Sequence, residues 1–188
     1  MNAPASPPSP YSSAFGKSNV ETHTLSVLVD NEPGVLARVV GLFSGRGYNI
    51  ESLTVAEVAH AEHLSRITIV TSGAPESIEQ VHHQLERLVP VHKVTDLTLT
   101  KRSLERELAM VKVKGKGEDR TNALQLAEAF RARVVDATTE SFIFELSGKP
   151  KKIDEFVDLM RPIGLVEVSR TGVAAISRGA KPIEDTGR

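Results

Sequence analysis

Apolar and polar positions along the first half of the chain recur with two different periods. Residues 23–30 alternate leucine and valine with other side chains, which is the period-two pattern of a strand with one buried face. Residues 35–43 repeat apolar side chains every three to four positions, which predicts a helix. We expect Gly45 and Gly47 to end this helix, because glycine readily adopts the left-handed conformation that follows many helices.

Four further segments complete this first unit. Apolar runs predict two strands joined by a polar turn, then a helix with Pro75 in its first turn, then a closing strand. The predicted ranges are 49–58 and 64–73 for the two strands, 75–89 for the helix and 91–99 for the last strand. The order is therefore βαββαβ, and the core of residues 23–98 is expected to be complete in itself.

The second half repeats this order with a different sequence. The predicted ranges are 107–115 for a strand, 118–132 for a helix, 133–141 and 142–148 for paired strands, 151–164 for a helix and 165–179 for the closing strand region. Leu124, Ala127 and Phe130 are expected to face the core. Two successive βαββαβ units predict an α+β fold made of two ferredoxin-like sandwiches, each with helices on one face of an antiparallel sheet.

Changes in composition divide the chain into four parts. Residues 1–21 are rich in Pro, Ser and Ala, so they are expected to form a disordered tail, and residues 181–188 are expected to do the same. A charged stretch without apolar periodicity puts the boundary between the two sandwiches near Lys101. The two predicted domains are therefore 22–99 and 100–180.

Composition and charge exclude several classes of protein. The 188 residues are 40% hydrophobic and 25% charged, as in an ordinary globular protein, and the net charge of −1 implies no general attraction to nucleic acid. The chain has no cysteine, which excludes disulfides and thiolate chemistry. No apolar run approaches the roughly 20 residues that span a bilayer, and no secretory signal pattern is present. We expect a cytoplasmic protein that binds neither nucleic acid nor membrane.

The loop before the first helix offers backbone and amide groups in place of catalytic side chains. Gly34 has no Cβ, so a ligand can approach the main chain closely. Free N–H groups at the start of a helix favour an anion such as a carboxylate. Asn31 can both donate and accept hydrogen bonds, which suits an amino acid. An ordinary Pro-Gly turn explains the same residues, and both interpretations stay open on this evidence.

The stretch DNEPGVLARVVGLFSGRGYNIESLTV resembles the start of an ACT domain, which is an amino-acid-sensing module. The string GYNIESL, together with ERE at the start of the second unit, is similar to the regulatory (small) subunit of acetohydroxyacid synthase, also called acetolactate synthase. The similarity continues through LSRITIV, QLERLVPVHKVTDLT, FRARVVDAT and TGVAAISRG. It covers nearly the whole chain between the two predicted tails.

The resemblance implies a non-catalytic subunit that activates a separate catalytic subunit and confers feedback inhibition by valine, with leucine or isoleucine as further candidates. Thiamine diphosphate, FAD and magnesium would reside in that catalytic partner, and this chain would hold no cofactor. Carried onto this sequence, Asn31, Gly34 and the backbone of Val35 would bind valine. Asn49 and Ile50 of a second copy would complete the site, which implies a homodimer through the first domain.

Histidine pairs suggest a competing function in metal binding. All six histidines lie within residues 23–92. His60 and His63 fall on a predicted turn, and His82 and His83 are expected to point to different sides of a helix. Because zinc needs several ligands that converge on one point, no metal site is predicted.

The second half offers other candidate chemistry. Phe142 and Phe144 alternate on a strand as RNA-stacking aromatics do, but aromatics are only 4% of the chain, so core packing is favoured. Asp154, Glu155 and Asp158 are expected to form a solvated helix face. The alternative function is a free-standing transcriptional regulator that responds to amino acids, and an enzyme of a different kind is a third possibility.

Overall fold

The computed structural model describes residues 20–100 and 103–180. The predicted tail over 1–21 lies outside the described residues except for its last two positions. Two other predictions also lie outside the described residues, namely the tail over 181–188 and the boundary at Lys101. The described residues form two sheets and their helices.

The first sheet has two helices on one face. Its elements are β1 (Glu21–Asp30), α1 (Val35–Ser44), β2 (Ser52–Ala59), β3 (Leu64–Gly73), α2 (Pro75–Glu86) and β4 (Val91–Asp96). The strands lie in the order β2-β3-β1-β4, and each neighbouring pair is antiparallel. Alternate residues of the two central strands face the helices. The fully buried side chains at this interface include Val27 of β1, Ile69 of β3 and Phe43 of α1.

The second sheet repeats this plan. Its elements are β5 (Ser103–Lys114), α3 (Glu118–Phe130), β6 (Arg133–Ala137), β7 (Ser141–Gly148), α4 (Pro150–Gly164), β8 (Leu165–Arg170) and β9 (Ala174–Ser177). The strands lie in the order β6-β7-β5-β8, and β9 pairs with the first part of β5. The prediction of an α+β fold with two antiparallel sheets in βαββαβ order is confirmed.

The second sheet differs from the sequence-based expectation at β5 and at its closing strands. β5 begins at Ser103, four residues before the predicted start, because its charged first part pairs with β9 through backbone hydrogen bonds rather than through apolar packing. The predicted closing strand over 165–179 is two strands, which a turn at 171–173 separates.

Two expectations about helices were wrong in detail. Leu124 is 40% exposed, and Ala123 and Ala127 take the buried positions of α3, because small side chains bring that helix close to its sheet. Gly45 has right-handed helical geometry, whereas Gly47 has a φ of +71° and is the left-handed glycine after α1. Among the described residues, no helix is long and apolar enough to cross a membrane.

A small apolar cluster joins the two sheets. Val70 of β3 and Leu97, which follows β4, pack with Val173 and Ala175 from the end of the second unit. Leu97 is fully buried. The expectation that the core of residues 23–98 is complete in itself therefore needs correction, since part of that core is supplied by the other half of the chain.

Candidate functional site

The loop between β1 and α1 is held on both sides by backbone hydrogen bonds. The N–H of Asp30 donates to the carbonyl oxygen of Pro90 at 2.9 Å, and the N–H of Asn31 donates to that of His63 at 2.6 Å. Gly34 then takes a φ of +87°, a conformation that side-chain-bearing residues rarely adopt. The loop thus has a fixed path, and a glycine is required at its turn into α1.

The first turn of α1 is open to a ligand. The N–H of Val35 makes a long contact of 3.4 Å to the carbonyl oxygen of Glu32, and no side chain of the described residues caps the helix. A Cβ added to Gly34 would meet no atom within 4 Å, so the space in front of the turn is empty of protein. Asn31 is exposed beside it. Uncapped N–H groups next to an exposed amide can hold a carboxylate.

The other two predicted site residues lie at the far end of α1. Asn49 is exposed, and its carbonyl oxygen accepts a hydrogen bond of 2.6 Å from the Thr71 hydroxyl. Ile50 is partly buried against the first core. The ten residues of α1 span about 15 Å, so one chain does not bring this pair together with Asn31 and Gly34.

A hydrogen bond between a histidine and a carboxylate at the loop was missed from the sequence. His92 Nε2 lies 2.6 Å from an Asp30 carboxylate oxygen, so the last residue of β1 is tied to β4. His63, whose carbonyl oxygen holds Asn31, has a φ of +50°. The contact between His92 and Asp30 could have been predicted from the pairing of β1 with β4 in a ferredoxin-like sheet. No local sequence pattern indicates the hydrogen bond between Asn31 and His63.

Two family models match the chain, and each covers one sheet with its helices. Residues 25–93 match a model described as the AHAS small subunit-like ACT domain, where AHAS is acetohydroxyacid synthase, and residues 106–179 match one described as the small subunit of acetolactate synthase. A probable acetolactate synthase small subunit of Archaeoglobus fulgidus is 48% identical over 159 residues, which are 85% of this chain and 98% of that relative.

The chain belongs to the acetolactate synthase small-subunit family. The acetolactate synthase small subunit of Haemophilus influenzae is 44% identical over 160 residues, which are 85% of this chain and 97% of that relative. The crystal structure of the small subunit from Thermotoga maritima superposes with a TM-score of 0.76 at 38% identity, covering 86% of this chain and 99% of that chain. Membership in this family implies a regulatory role and a catalytic subunit as partner.

A histidine cluster on α2 of this small-subunit family member contradicts the expectation that His82 and His83 point to different sides of the helix. His82 and His83 do not diverge, because the Nδ1 atoms of both rings approach the same carboxylate oxygen of Glu86, at 3.7 and 3.3 Å. Glu86 lies one turn further along the helix, within reach of both rings. His83 also lies 3.8 Å from Glu79, so the two histidines and two glutamates form one network of polar contacts along α2.

A half-buried ion pair in the second unit of this small-subunit family member lies beside the contact between the two sheets. Arg170 of β8 donates to both carboxylate oxygens of Glu107, at 2.8 and 2.6 Å, and to Asp154 of α4 at 2.7 Å. The hydrogen bonds to Glu107 raise the pKa of the Arg170 guanidinium against the opposing effect of burial. Asp154 is 54% exposed, in agreement with the predicted solvated helix face, and it is also one of the partners of Arg170.

The second sheet offers no aromatic surface for stacking on RNA at the residues that suggested one. Phe142 and Phe144 are buried among the side chains of α3 and α4, so core packing of both rings is confirmed. Arg120 of α3 lies over the Phe142 ring at 3.8 Å from its centroid. These aromatic residues stabilise the second core rather than forming an exposed face.

Proposed function

We propose that this member of the small-subunit family is a regulatory subunit that activates the acetolactate synthase catalytic subunit and confers feedback inhibition by valine. The observation that carries the proposal is the uncapped start of α1, with open space before Gly34 and an exposed Asn31 beside it. The ligand's carboxylate would accept from N–H groups in the first turn of α1, and that of Val35 would exchange its long 3.4 Å contact with Glu32 for one to the ligand. The ligand's ammonium group would donate to the Asn31 side-chain oxygen.

The proposed site is completed by a second copy of the chain. Asn49 and Ile50 follow the far end of α1, a helix about 15 Å long, so in this proposal the two halves of the site meet across a dimer. Ile50 would supply apolar contact to a branched side chain, and Asn49 a polar contact. β2 is an edge strand of the first sheet with exposed Val55 and Val58, which supports pairing of two first sheets. Leucine and isoleucine fit the same chemistry.

Catalysis belongs to the partner in this proposal. Thiamine diphosphate, FAD and magnesium would be held by the catalytic subunit, and the small subunit would contribute no reacting group. Activation would use a surface away from the first turn of α1. Feedback inhibition and activation should therefore be separable by substitutions at the loop.

The test is a valine titration of the catalytic subunit reconstituted with this chain. Asn31→Ala removes one or two charge-assisted hydrogen bonds, each worth about 1.5–3 kcal/mol, so half-inhibition should need at least about tenfold more valine. Gly34→Asp places a carboxylate where the ligand's own carboxylate would bind, and it should abolish inhibition. Both variants should still activate the catalytic subunit.

Gly117→Asp is the matched control for the glycine substitution. Gly117 is the residue before α3, it also has a positive φ, and a Cβ there would also meet no atom within 4 Å. The backbone cost at Gly117 is at least as large, because its ψ of −126° lies further from conformations open to aspartate than the ψ of −9° at Gly34. The variant does not touch the proposed site, so its inhibition curve should equal that of the unsubstituted chain. Unchanged inhibition with both Asn31→Ala and Gly34→Asp would show that the loop is only a turn.

A further inference from the structure

The turn between β8 and β9 is fastened to the first sheet by two hydrogen bonds. The N–H of Val173 donates to the Ser52 hydroxyl oxygen at 2.9 Å, and the Thr54 hydroxyl donates to the carbonyl oxygen of Val173 at 2.7 Å. Ser52 and Thr54 are alternate residues of β2, so both point to the same face of that strand. We call the contact of these three residues and Gly172 the clasp.

Gly172 makes the clasp a close steric contact. It has a φ of +81°, and a Cβ at this position would lie 2.8 Å from the Ser52 hydroxyl oxygen and 3.0 Å from Thr54 Cγ2. The same Cβ would lie 3.5 Å from the carbonyl oxygen of Leu53, so the turn rests on the backbone of β2. A displacement of β2 toward the turn therefore has to move the turn.

The clasp is continuous with one half of the proposed effector site. Ser52 follows Ile50 by two residues, which is about 7 Å along an extended chain. Two hydrogen bonds fix the intervening backbone to β3, from the Thr71 hydroxyl to the Asn49 carbonyl oxygen at 2.6 Å and from the Glu51 N–H to the Val70 carbonyl oxygen at 2.8 Å. A shift at Asn49 would reach Ser52 through this stiff segment.

On the far side, the clasp is continuous with the second sheet. Thr171 donates its N–H to the carbonyl oxygen of Leu108 at 3.0 Å and accepts from the Leu108 N–H with its hydroxyl oxygen at 3.1 Å, so the turn is anchored to β5. Val173 also packs in the apolar cluster that joins the two sheets. The turn is thus hydrogen-bonded to β2 of the first sheet on one side and to β5 of the second sheet on the other.

We propose that the clasp couples effector binding to the second sheet and its helices, with Ser52 and Thr54 as positioning residues. The inference rests on the proposed function, since it names the route by which that site acts. Occupancy of the site changes the position of Asn49 and Ile50, β2 carries the change to the clasp, and the turn passes it to β5 and β8. Activation does not need this route, because it occurs with the effector site empty.

The direct test uses the double variant Ser52→Ala with Thr54→Val, which removes both clasp hydroxyls and keeps the shape of the threonine. In the reconstituted holoenzyme, activity remaining at saturating valine should rise at least threefold. The dissociation constant of valine for the small subunit alone, from calorimetry, should stay within twofold, as should activation without valine. Gly172→Ala should act in the same way through its clash with Ser52.

Thr95→Val is the matched control. The Thr95 hydroxyl is on β4 of the same sheet, is buried, and has no hydrogen-bond partner among the described residues. This substitution repeats the threonine-to-valine change of the double variant without touching the clasp, so residual activity at saturating valine should equal that of the unsubstituted chain. Inhibition that is unchanged in the double variant, or an equal loss of activation and inhibition, would overturn the proposal.

A distance measurement tests the clasp independently of valine. The chain has no cysteine, so Val89→Cys, at a position that is 95% exposed, and Leu124→Cys carry one spin label in each unit. With labelled chain diluted in unlabelled chain, the distance distribution should be at least twofold broader in the clasp double variant.

If no branched-chain amino acid inhibits the unsubstituted holoenzyme, the proposed function fails. An unchanged distribution would instead overturn the clasp.

Discussion

A single side chain, Arg170, connects three elements next to the contact between the two sheets. Its partner Glu107 has a side chain that is only 4% exposed, so that carboxylate is largely removed from water. A charge in such surroundings is costly unless it is paired and hydrogen-bonded. The two hydrogen bonds from the guanidinium to Glu107 therefore compensate for the burial of this side chain, and the third, to Asp154, holds the guanidinium in place.

Replacing Arg170 with methionine should destabilise the chain strongly. Methionine keeps apolar contacts but leaves the Glu107 carboxylate without its partner, so we expect the free energy of unfolding to fall by about 2–4 kcal/mol. This lies at the lower end for buried pairs, because the Arg170 side chain is 37% exposed. Urea unfolding measures the change.

Arg161→Met provides the comparison for this prediction. Arg161 pairs with Asp158 on the exposed surface of α4, where an ion pair contributes at most about 1 kcal/mol. Adding Glu107→Gln to Arg170→Met should recover part of the lost stability. Equal unfolding midpoints for Arg170→Met and Arg161→Met would contradict the importance given to the buried pair.

At the scale of elements, the register of β5 with β8 brings opposite charges together on the exposed face of the second sheet. Lys112 lies opposite Glu167, and the ammonium group contacts the carboxylate at 2.5 Å. The hydrogen bond from Lys112, followed by its charge, lowers the pKa of the Glu167 carboxyl group. The pair therefore stabilises the fold above the ordinary pKa of a glutamate, and this contribution is lost as the pH falls through the lowered value.

The pKa of Glu167 should respond to removal of its partner. In Lys112→Met, the Glu167 carboxyl should titrate closer to its ordinary value of 4.5, and the difference in stability between the two chains should vanish at low pH. An NMR titration of the Glu167 side chain measures the shift. If Glu167 titrates at the same pH in both chains, the pairing across β5 and β8 has no electrostatic effect.

The elements also show what periodicity can and cannot predict. It identified the helices and most strands because these elements bury one face, as the fully buried Val27 and Phe144 illustrate, and β6 is an exception, since all its residues are exposed. Periodicity missed the start of β5, because charged residues there are stabilised by backbone pairing with β9. It also predicted Leu124 to be buried, whereas the rotation of α3 depends on which side chains fit against the sheet. The candidate loop could be predicted from the properties of Asn31 and Gly34. The clasp could not, because it joins residues about 120 positions apart in the sequence.

At the scale of the whole molecule, the two units share apolar contacts, although each also has a core of its own. Val173 and Ala175 cover Val70 and Leu97, so the first unit is not sealed without the second. Composition predicts the domain boundary but not this dependence, because Val70 and Leu97 lie far in the sequence from Val173 and Ala175.

A fragment that ends at Thr100 should fold with reduced stability. Loss of the second unit exposes part of Leu97 and Val70, which should lower the free energy of unfolding by about 1–3 kcal/mol relative to the same unit in the full chain. Hydrogen exchange of amides in β1 and β3 gives this value in both proteins. Equal protection in fragment and full chain would show that the shared cluster contributes no stability.

The shared cluster also restricts how this kind of protein can evolve. Recombination that joined the first unit to an unrelated second unit would have to supply side chains matching Val173 and Ala175, and a glycine where Gly172 meets β2. Each half therefore has to keep a surface that fits the other half. Mutations on the two sides are expected to be accepted in pairs, so the halves should descend together even though each carries a complete sheet.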